Sequence, residues 1–373
     1  AEISALILSK LKRDCSKIIG DINEVVITVP ANFNELARKS TIAAAEMAGM
    51  KVKRLVNEPT AAAVYYAHNQ GVQGRILVYD LGGGTLDVTI LSVEGDNILT
   101  SEGARHLGGS NFDEMLLDAY AEQYRQQTGA PLFSDERHRR RVLQTTEDAK
   151  KMLSKLQRVN DTVANDKNDG IARIDLTRDG FEKIIRQMLT RTVMLVEQAL
   201  DSAKLKASEI DHVVLVGGST RIPKVKVILA KMFGKAPKSC GNVDECVALG
   251  AALFAKKPAR IQEVCNASYG TVAMVYNART GEEKLMNSVV IPKNTPIPCS
   301  RTQVYQTGED NERVIEVDIT QGEDEDAKFV DIIGRITLEV PPNRPKGCEI
   351  AVTFSYDENQ RVRALVVDKQ SGR

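Results

Sequence analysis

The stretch VYDLGGGTLDVTI, residues 78–90, sets three consecutive glycines between two aspartates in the middle of what otherwise reads as strand. Val78, Tyr79, Val88 and Ile90 are strand formers, and glycine interrupts a strand unless the backbone must turn tightly or meet a ligand. Two readings stand: a plain hairpin turn, or a turn that grips phosphate. The sequence has no GxxxxGK[ST] loop and no GxGxxG that leaves a strand and opens a helix, so a phosphate site here must be strand-turn-strand. In that reading Gly82 and Gly83 let the backbone come close, the amides form a nest for phosphate oxygens, and Thr85 adds a hydroxyl. Asp80, ending the incoming strand, is placed to hold Mg²⁺ through water.

Further along, VVLVGGSTRIPKV (213–225) repeats the device: an apolar strand delivers Gly217, Gly218 and the hydroxyls of Ser219 and Thr220, and Arg221 and Pro223 lead into a helix. One such turn is an ordinary strand-to-helix loop. Two of them read as two jaws of one nucleotide cleft. Between them, EDAKKMLS puts Glu147, Lys150, Lys151 and Ser154 at i, i+3, i+4 and i+7, on one helix face. That face is either an exposed, ion-paired surface or a clamp for ribose and base. In NEPTAAAV (57–64), Asn57 and Glu58 precede Pro59 at the head of an alanine-rich helix; they read as N-terminal capping, or Glu58 as a carboxylate that orients water or metal.

The 373 residues suffice for two or three domains with real cores, and 42% hydrophobic with 27% charged residues indicates a globular protein. Fifty basic residues balance fifty acidic ones, so no bulk charge favours nucleic acid or an anionic membrane. The one basic run, RHRRR at 137–141, reads as a solvated helix face. Six dispersed cysteines form no CxxC and no zinc spacing, a usage that suits reduced thiols in a cytoplasm-like compartment. No apolar run is long enough to span a bilayer. The chain opens at Ala1 without Met and enters a helix at once, which leaves room for a preceding segment and a targeting signal with it. His68, His106, His138 and His212 have no partner at catalytic or metal spacing.

Helix is expected over 1–19, 34–48, 110–160, 179–203, from 222 and over 244–255. Strands are expected at EVVITVP, KVKRLV, the hairpins of 75–103 and DHVVLVGG. The early alternation of strand and helix argues α/β with a largely parallel sheet, carrying a helical insertion. KKPARIQEV (256–264) marks a boundary, and from 265 onward VIEVDIT, ITLEV, EIAVTFSY and VRALVV alternate apolar and polar residues as a β-sandwich does. The acidic GEDEDAK (322–328) reads as a loop.

VVITVPANFNELAR, VNEPTAAAV, DLGGGTLDVTI, HLGGSNFDE, VVLVGGSTRIPKV and NVDECVALGAA, in that order, resemble the DnaK-type, 70-kDa heat-shock chaperone family over most of residues 1–257. The resemblance implies the actin/hexokinase-like ATPase fold, α/β, followed by a small all-β sandwich that binds peptides. It apportions the chain as 1–69 for the remaining part of lobe I, 70–108 with 186–257 for the lobe II core, 109–185 for the helical subdomain, 258–264 for a linker and 265–373 for the β-domain.

The implied ligands are ATP or ADP, Mg²⁺ and a monovalent cation such as K⁺. Gly82, Gly83 and Thr85 would contact phosphates, Asp80 and Glu58 would order Mg²⁺ and water, and Asp87 would help hold the monovalent cation. Glu147, Lys150, Lys151 and Ser154 would frame adenosine, with Gly217, Gly218, Ser219, Arg221 and Asp244 closing the other side. Pro30 and Arg38 match the family's switch between nucleotide state and peptide domain. Hydrolysis would rest on positioning and charge stabilisation. The implied partners are unfolded polypeptides and J-domain and nucleotide-exchange co-chaperones, with no nucleic acid and no membrane.

Four departures qualify this. The family's N-terminal phosphate loop, its lysine and the following subdomain have no match, so weak turnover is expected of this chain alone. Lys151 stands where an arginine is usual, and lysine cannot stack as a plane. Ala104 and Arg105 replace Asp and Thr before His106. ARIQEVCNAS replaces the leucine-rich linker, and YGTVAMVYNARTGEEKLMNSVVIPKNTPIP keeps the IPKNTPIP-like run but loses the apolar loop over a peptide groove. An ATP-driven chaperone is therefore weighed against a catalytically weak scaffold on the same fold. A sugar or acetate kinase lacks this order of motifs and the β tail.

Overall fold

The computed structural model describes residues 1–167, 170–256, 261–276, 283–358 and 360–372. In chain order these form α1 Glu2–Ile19, β1 Glu24–Val29, α2 Glu35–Met47, β2 Lys51–Asn57, α3 Glu58–Gln70, β3 Arg75–Leu81, β4 Thr85–Ser92 and β5 Asn97–Arg105. There follow α4 Gly109–Thr128, α5 Glu136–Leu153, β6 Arg158–Ala164, β7 Ile171–Thr177, α6 Arg178–Ile184, α7 Arg186–Ser202, β8 His212–Val216, α8 Pro223–Phe233, β9 Lys238–Ser239 and α9 Cys246–Lys256. The last strands are β10 Tyr269–Tyr276, β11 Glu283–Ile291, β12 Cys299–Gln306, β13 Val314–Gln321, β14 Asp331–Glu339, β15 Glu349–Tyr356 and β16 Val362–Asp368. The chain is mixed α/β with several sheets, in two compact units: Ala1–Glu58, Asp96–Ser101 and Ala251–Arg373 make one, Pro59–Gly95 and Glu102–Gly250 the other.

The second unit is built on a five-stranded sheet of order β5-β4-β3-β8-β9. β3 and β4 are buried along nearly their whole length; β3 reads as an apolar run as far as Tyr79, whereas β4 alternates Leu86, Val88 and Ile90 with Thr85, Asp87 and Thr89 and buries Asp87 and Thr89 all the same. β3 pairs antiparallel with β4 and parallel with β8, so the sheet is mixed where the early α/β rhythm points to a parallel one. Two strand-to-turn junctions, after Leu81 and after Val216, thereby lie on adjacent strands at one end of the sheet.

The helical block is shorter than expected over 110–160. α5 stops at Leu153, and Arg158–Ala164 becomes β6, paired with β7. The β-branched Val159, Thr162 and Val163 suit a strand, and β7 alternates exposed and buried residues as a half-covered hairpin should. The long helix expected over 179–203 is two, broken at Ile185, whose ψ of 4° leaves the helical range.

In the first unit β1 and β2 form a parallel pair. α1 forms as its spacing predicts, with Gly20 in a positive-φ stop, yet Ala5 is its buried residue and Ile3, Leu6, Ile7, Leu11 and Ile18 are exposed. A four-stranded sheet, β11-β10-β13-β14, and a three-stranded sheet, β12-β15-β16, share one apolar core that includes Tyr269, Ile291, Val317, Val352, Phe354 and Tyr356. The acidic loop 322–328 is structured: the Asn287 Nδ2 donates to Gly322 O and Asp324 O at 3.2 and 3.0 Å.

A buried polar network binds this unit together. Arg38, 1% exposed, donates to Phe33 O, Ala31 O and Asn57 Oδ1 at 3.1, 2.9 and 2.9 Å. Asn57 donates to Glu263 Oε2 at 2.9 Å, so its side chain is spent inside this network rather than on a helix cap. Asn266 donates to Phe33 O and accepts from the hydroxyls of Tyr269 and Tyr356. Of the expected linker, residues 258–260 lie outside the described residues; Gln262 exchanges backbone hydrogen bonds with Asp96 and Ile98. Residues 277–282, within the stretch YGTVAMVYNARTGEEKLMNSVVIPKNTPIP, also lie outside the described residues.

Candidate functional site

The turn at Gly82–Gly84 is a tight hairpin, closed by Gly82 N donating to Thr85 O at 3.0 Å. Its carbonyls are all engaged on one side. Gly82 O accepts from Gly109 N at 3.0 Å and from Ser219 Oγ at 2.9 Å, Gly83 O from Ser110 N at 2.7 Å, and Gly84 O from Leu107 N at 3.3 Å. In a planar trans peptide the N–H points opposite to the C=O, so the amides of Gly83, Gly84 and Thr85 face away from the start of α4. Three successive amides turned the same way make an anion-binding concavity.

Two glycines outside the turn make this contact feasible. A Cβ on Gly108 would lie 2.6 Å from Gly83 O, and one on Gly217 would lie 2.4 Å from Leu81 O. Gly217 also has φ 84°, a left-handed conformation that favours glycine. The two glycine-bearing loops therefore touch: HLGG packs on the first turn and the second turn packs on the end of β3. Gly108 and Gly109 carry no conspicuous chemistry as residue types, so the sequence motif HLGG is their only signal.

A cleft of about 650 Å³ opens beside these loops. Gly83, Gly109, Ser110, Asp113, Gly218, Ser219, Arg221 and the α5 residues Glu147, Lys150, Lys151 and Ser154 line it. The spacing argument for one α5 face holds, but the four residues divide. Lys150 turns inward, 8% exposed, and donates to Asp113 Oδ2 at 2.7 Å and Gly109 O at 3.0 Å. Glu147 and Lys151 pair at 2.8 Å on the open side. The Lys151 ammonium holds the Glu147 carboxyl below its ordinary range, and Glu147 in turn raises Lys151. Ser154 Oγ donates back to Lys150 O.

Asp113, the eighth residue of HLGGSNFDE, carries no sequence signal of its own. Burial pushes its carboxyl up, and the Lys150 ammonium opposes that shift. On the far wall Arg221 makes a two-pronged pair with Asp244, at 3.2 and 2.6 Å, which lowers the Asp244 carboxyl and raises the guanidinium. None of the four histidines lines the cleft.

Asp80 and Asp87 are opposite residues of the β3–β4 ladder, so both carboxylates point to the same face, and both are buried. Two hard oxygen donors side by side fit a divalent cation that keeps most of its water, as Mg²⁺ does. Among the described residues there is no group of three or more His, Cys, Asp or Glu arranged to hold a metal, so water and phosphate would supply the remaining ligands. Glu58 opens α3 and belongs to the other unit, where burial pushes its carboxyl up.

A model of the Hsp70 protein family matches residues 1–373. The stromal 70 kDa heat shock-related protein of the chloroplast of Spinacia oleracea is 38% identical over all of this chain and 63% of its own length. The protein of the same description from Pisum sativum is 37% identical over all of this chain and 53% of its own length. The chain thus spans between about half and two thirds of the relatives it matches. With the family model running from its first residue to its last, the chain belongs to the Hsp70 family.

Proposed function

We propose that the cleft of the second unit binds Mg-ATP and that the whole protein couples its hydrolysis to the holding of unfolded polypeptides. The observation that carries this reading is the one-sided use of the Gly82–Gly84 carbonyls, which leaves the amides of Gly83, Gly84 and Thr85 for phosphate oxygens. Glu147 accepts ribose hydroxyls, Lys150 and Lys151 flank the base with Ser154, and Gly217, Gly218, Ser219 and Arg221 with Asp244 close the opposite wall. Asp80 orders the hydrated Mg²⁺, and Asp87 helps hold a potassium ion. Magnesium, when bound, neutralises phosphate charge; the protein's part is positioning and preformed dipoles.

The remaining organisation follows the family layout. Residues 70–108 and 186–257 are the core of lobe II, 109–185 its helical subdomain, 1–69 part of lobe I, and 265–373 a β-sandwich for extended peptides. The two sheets sharing one core support the last assignment. Arg38, with Pro30, is the reporter of nucleotide state, and J-domain and nucleotide-exchange co-chaperones are the partners. Six free thiols support a reducing compartment such as the cytoplasm. No described helix is long and apolar enough to cross a membrane.

Titration calorimetry with Mg-ATP tests the site: Asp80→Ala is expected to lose Mg-dependent affinity while ATP without metal binds as before. Equal Mg-ATP affinity in the variant sinks the assignment of Asp80. A second reading, a non-catalytic scaffold, is favoured by one feature: the charged groups of the cleft are already paired with one another, as Lys150–Asp113, Lys151–Glu147 and Arg221–Asp244. Absence of any ATP heat in a folded protein would select it.

A further inference from the structure

Three parts of the second unit meet at Gly109. Its N–H donates to Gly82 O at 3.0 Å, the next amide, Ser110 N–H, donates to Gly83 O at 2.7 Å, and Lys150 Nζ donates to Gly109 O at 3.0 Å. A Cβ on Gly109 would stand 2.6 Å from Ser219 Oγ and 3.1 Å from Lys150 Nζ. The glycine hairpin, the second glycine loop and α5 therefore all press on this one residue. The ammonium is aimed at it by Asp113. Gly109 and Asp113 are i and i+4 on one face of α4, and Asp113 Oδ2 accepts from Lys150 Nζ at 2.7 Å. Asp113 and Lys150 are both buried, at 6% and 8% exposure.

A lysine has three N–H donors. Two are engaged inside the protein, on Asp113 and Gly109, and the third is left for the cleft that Lys150 lines. Such a buried ammonium stays in place because a counter-charge faces it. Opposite a neutral partner, the cost of desolvation favours its exit into the open cleft.

We propose that Asp113 is a positioning residue for the phosphate grip: through Lys150 and Gly109 it holds the hairpin carbonyls, and so keeps the amides of Gly83, Gly84 and Thr85 aligned for an anion. Without the Asp113 charge, Gly109 O loses its lysine donor and the first turn of α4 loses its tie to α5. The Gly109 and Ser110 amides then hold the hairpin less firmly. Donors bind an anion well when they are aligned before it arrives, so the loss falls on the phosphates and spares the nucleoside. Two other arrangements predict otherwise. A Lys150 that served the nucleoside alone would weaken ATP and adenosine equally, and a hairpin that stood by itself would let the released ammonium strengthen ATP binding. The ligand half of this inference rests on the nucleotide reading of the cleft; the alignment of the hairpin does not.

Calorimetry without Mg²⁺ compares ATP with adenosine on the wild-type chain, on Asp113→Asn and on Lys150→Met with Asp113→Leu. The preference for ATP over adenosine should fall about tenfold in Asp113→Asn, the order of one hydrogen bond to a charged group. The double variant, which removes both charges together and keeps the site filled, should show the same lowered preference; a merely structural role would restore it. An undiminished preference for ATP in either variant overturns the proposal. Hydrogen exchange on the nucleotide-free proteins reads the alignment directly. Measured against the Val214 and Leu215 amides in the centre of β8, the amides of Gly82, Leu107, Gly109 and Ser110 should exchange about tenfold faster in both variants, as a locally loosened segment does. Unchanged relative rates at those four amides overturn the proposal. A wild-type chain with no preference for ATP over adenosine overturns the cleft reading, and the exchange rates then decide whether Asp113 positions the hairpin.

Discussion

Lys150 Nζ lies 2.7 Å from Asp113 Oδ2 and 3.0 Å from Gly109 O, so a single buried ammonium joins α5 to the first turns of α4 beneath the glycine hairpin. Removing one member of a buried ion pair leaves the other charge without compensation, at a cost of about 3–5 kcal/mol. Lys150→Met is therefore expected to lower unfolding stability by that order, and Lys150→Met with Asp113→Leu to recover most of it. Denaturant titration of the two variants measures the difference. Equal losses in single and double variants would show that the pair matters through packing rather than charge.

Gly217 gives a sharper handle on the site. An added methyl would stand 2.4 Å from Leu81 O, 2.8 Å from Asp80 Oδ1, and on a backbone with φ 84°. Gly217→Ala should cost about 1–3 kcal/mol, the usual range for overpacking, and shift Asp80 from its place. Gly84→Ala, where nothing lies within 4 Å of the added carbon, is the control expected to fold normally. Thermal unfolding and Mg-ATP calorimetry on both variants check this; a Gly217→Ala protein with unaltered Mg-ATP affinity would separate Asp80 from the second loop.

These two glycines also show how far the sequence could be read. DLGGGTLD and VVLVGGSTR were legible because glycine in a strand context has few explanations, and adjacent parallel strands bring two such turns to one sheet end. Lys150 was legible as a member of a helix face, but not as its buried member. That depends on Asp113 and Gly109 of another helix, and helix pairing leaves no local periodicity. Asn57 looked like a cap because caps are local, whereas its partners, Arg38 and Glu263, lie 19 and 206 positions away. The break at Ile185 and the strand Arg158–Ala164 are hidden in the sequence for the same reason: each is decided by what packs or pairs with it.

In the β-strand region, Arg344 Nη2 lies 2.7 Å from Asp368 Oδ1, and both residues are buried. Burial alone would raise the Asp368 carboxyl, but hydrogen bonds from Ser371, Arg344 and the Gln370 and Ser371 amides hold it down at about 2, against an ordinary 3.8. A carboxyl whose pKa is depressed by folding stabilises the fold fully above its unfolded value and loses that contribution as pH falls through the folded one. The wild-type protein should accordingly lose stability between about pH 4 and pH 2 in part through this group. Asp368→Asn should be less stable at neutral pH, with a shallower decline across that window. Acid titrations followed by circular dichroism compare them, and parallel declines would remove Asp368 from the account.

Glu35 predicts the opposite sign. It opens α2 at 2% exposure, with the exposed Lys39 3.4 Å away. Burial pushes its carboxyl above the ordinary 4.5, against the opposing pull of Lys39, Arg38 and the Val362 backbone. The hydroxyls of Tyr269 and Tyr356 are near enough for their own ionisation to be suppressed by it. An acid whose pKa is raised by folding costs stability at neutral pH, where the buried group must carry charge, and that cost disappears as pH falls and the folded protein takes up the proton. Glu35→Gln should therefore stabilise the protein at pH 7 by on the order of 1 kcal/mol, the scale of burying a polar group with incomplete compensation. The advantage should shrink as pH falls and vanish below the ordinary carboxylate range. Thermal unfolding of both proteins at pH 7 and at low pH reads this directly. A Glu35→Gln variant destabilised at pH 7 would mean that the carboxylate, through Lys39 and the Arg38 network, stabilises the fold more than its burial costs.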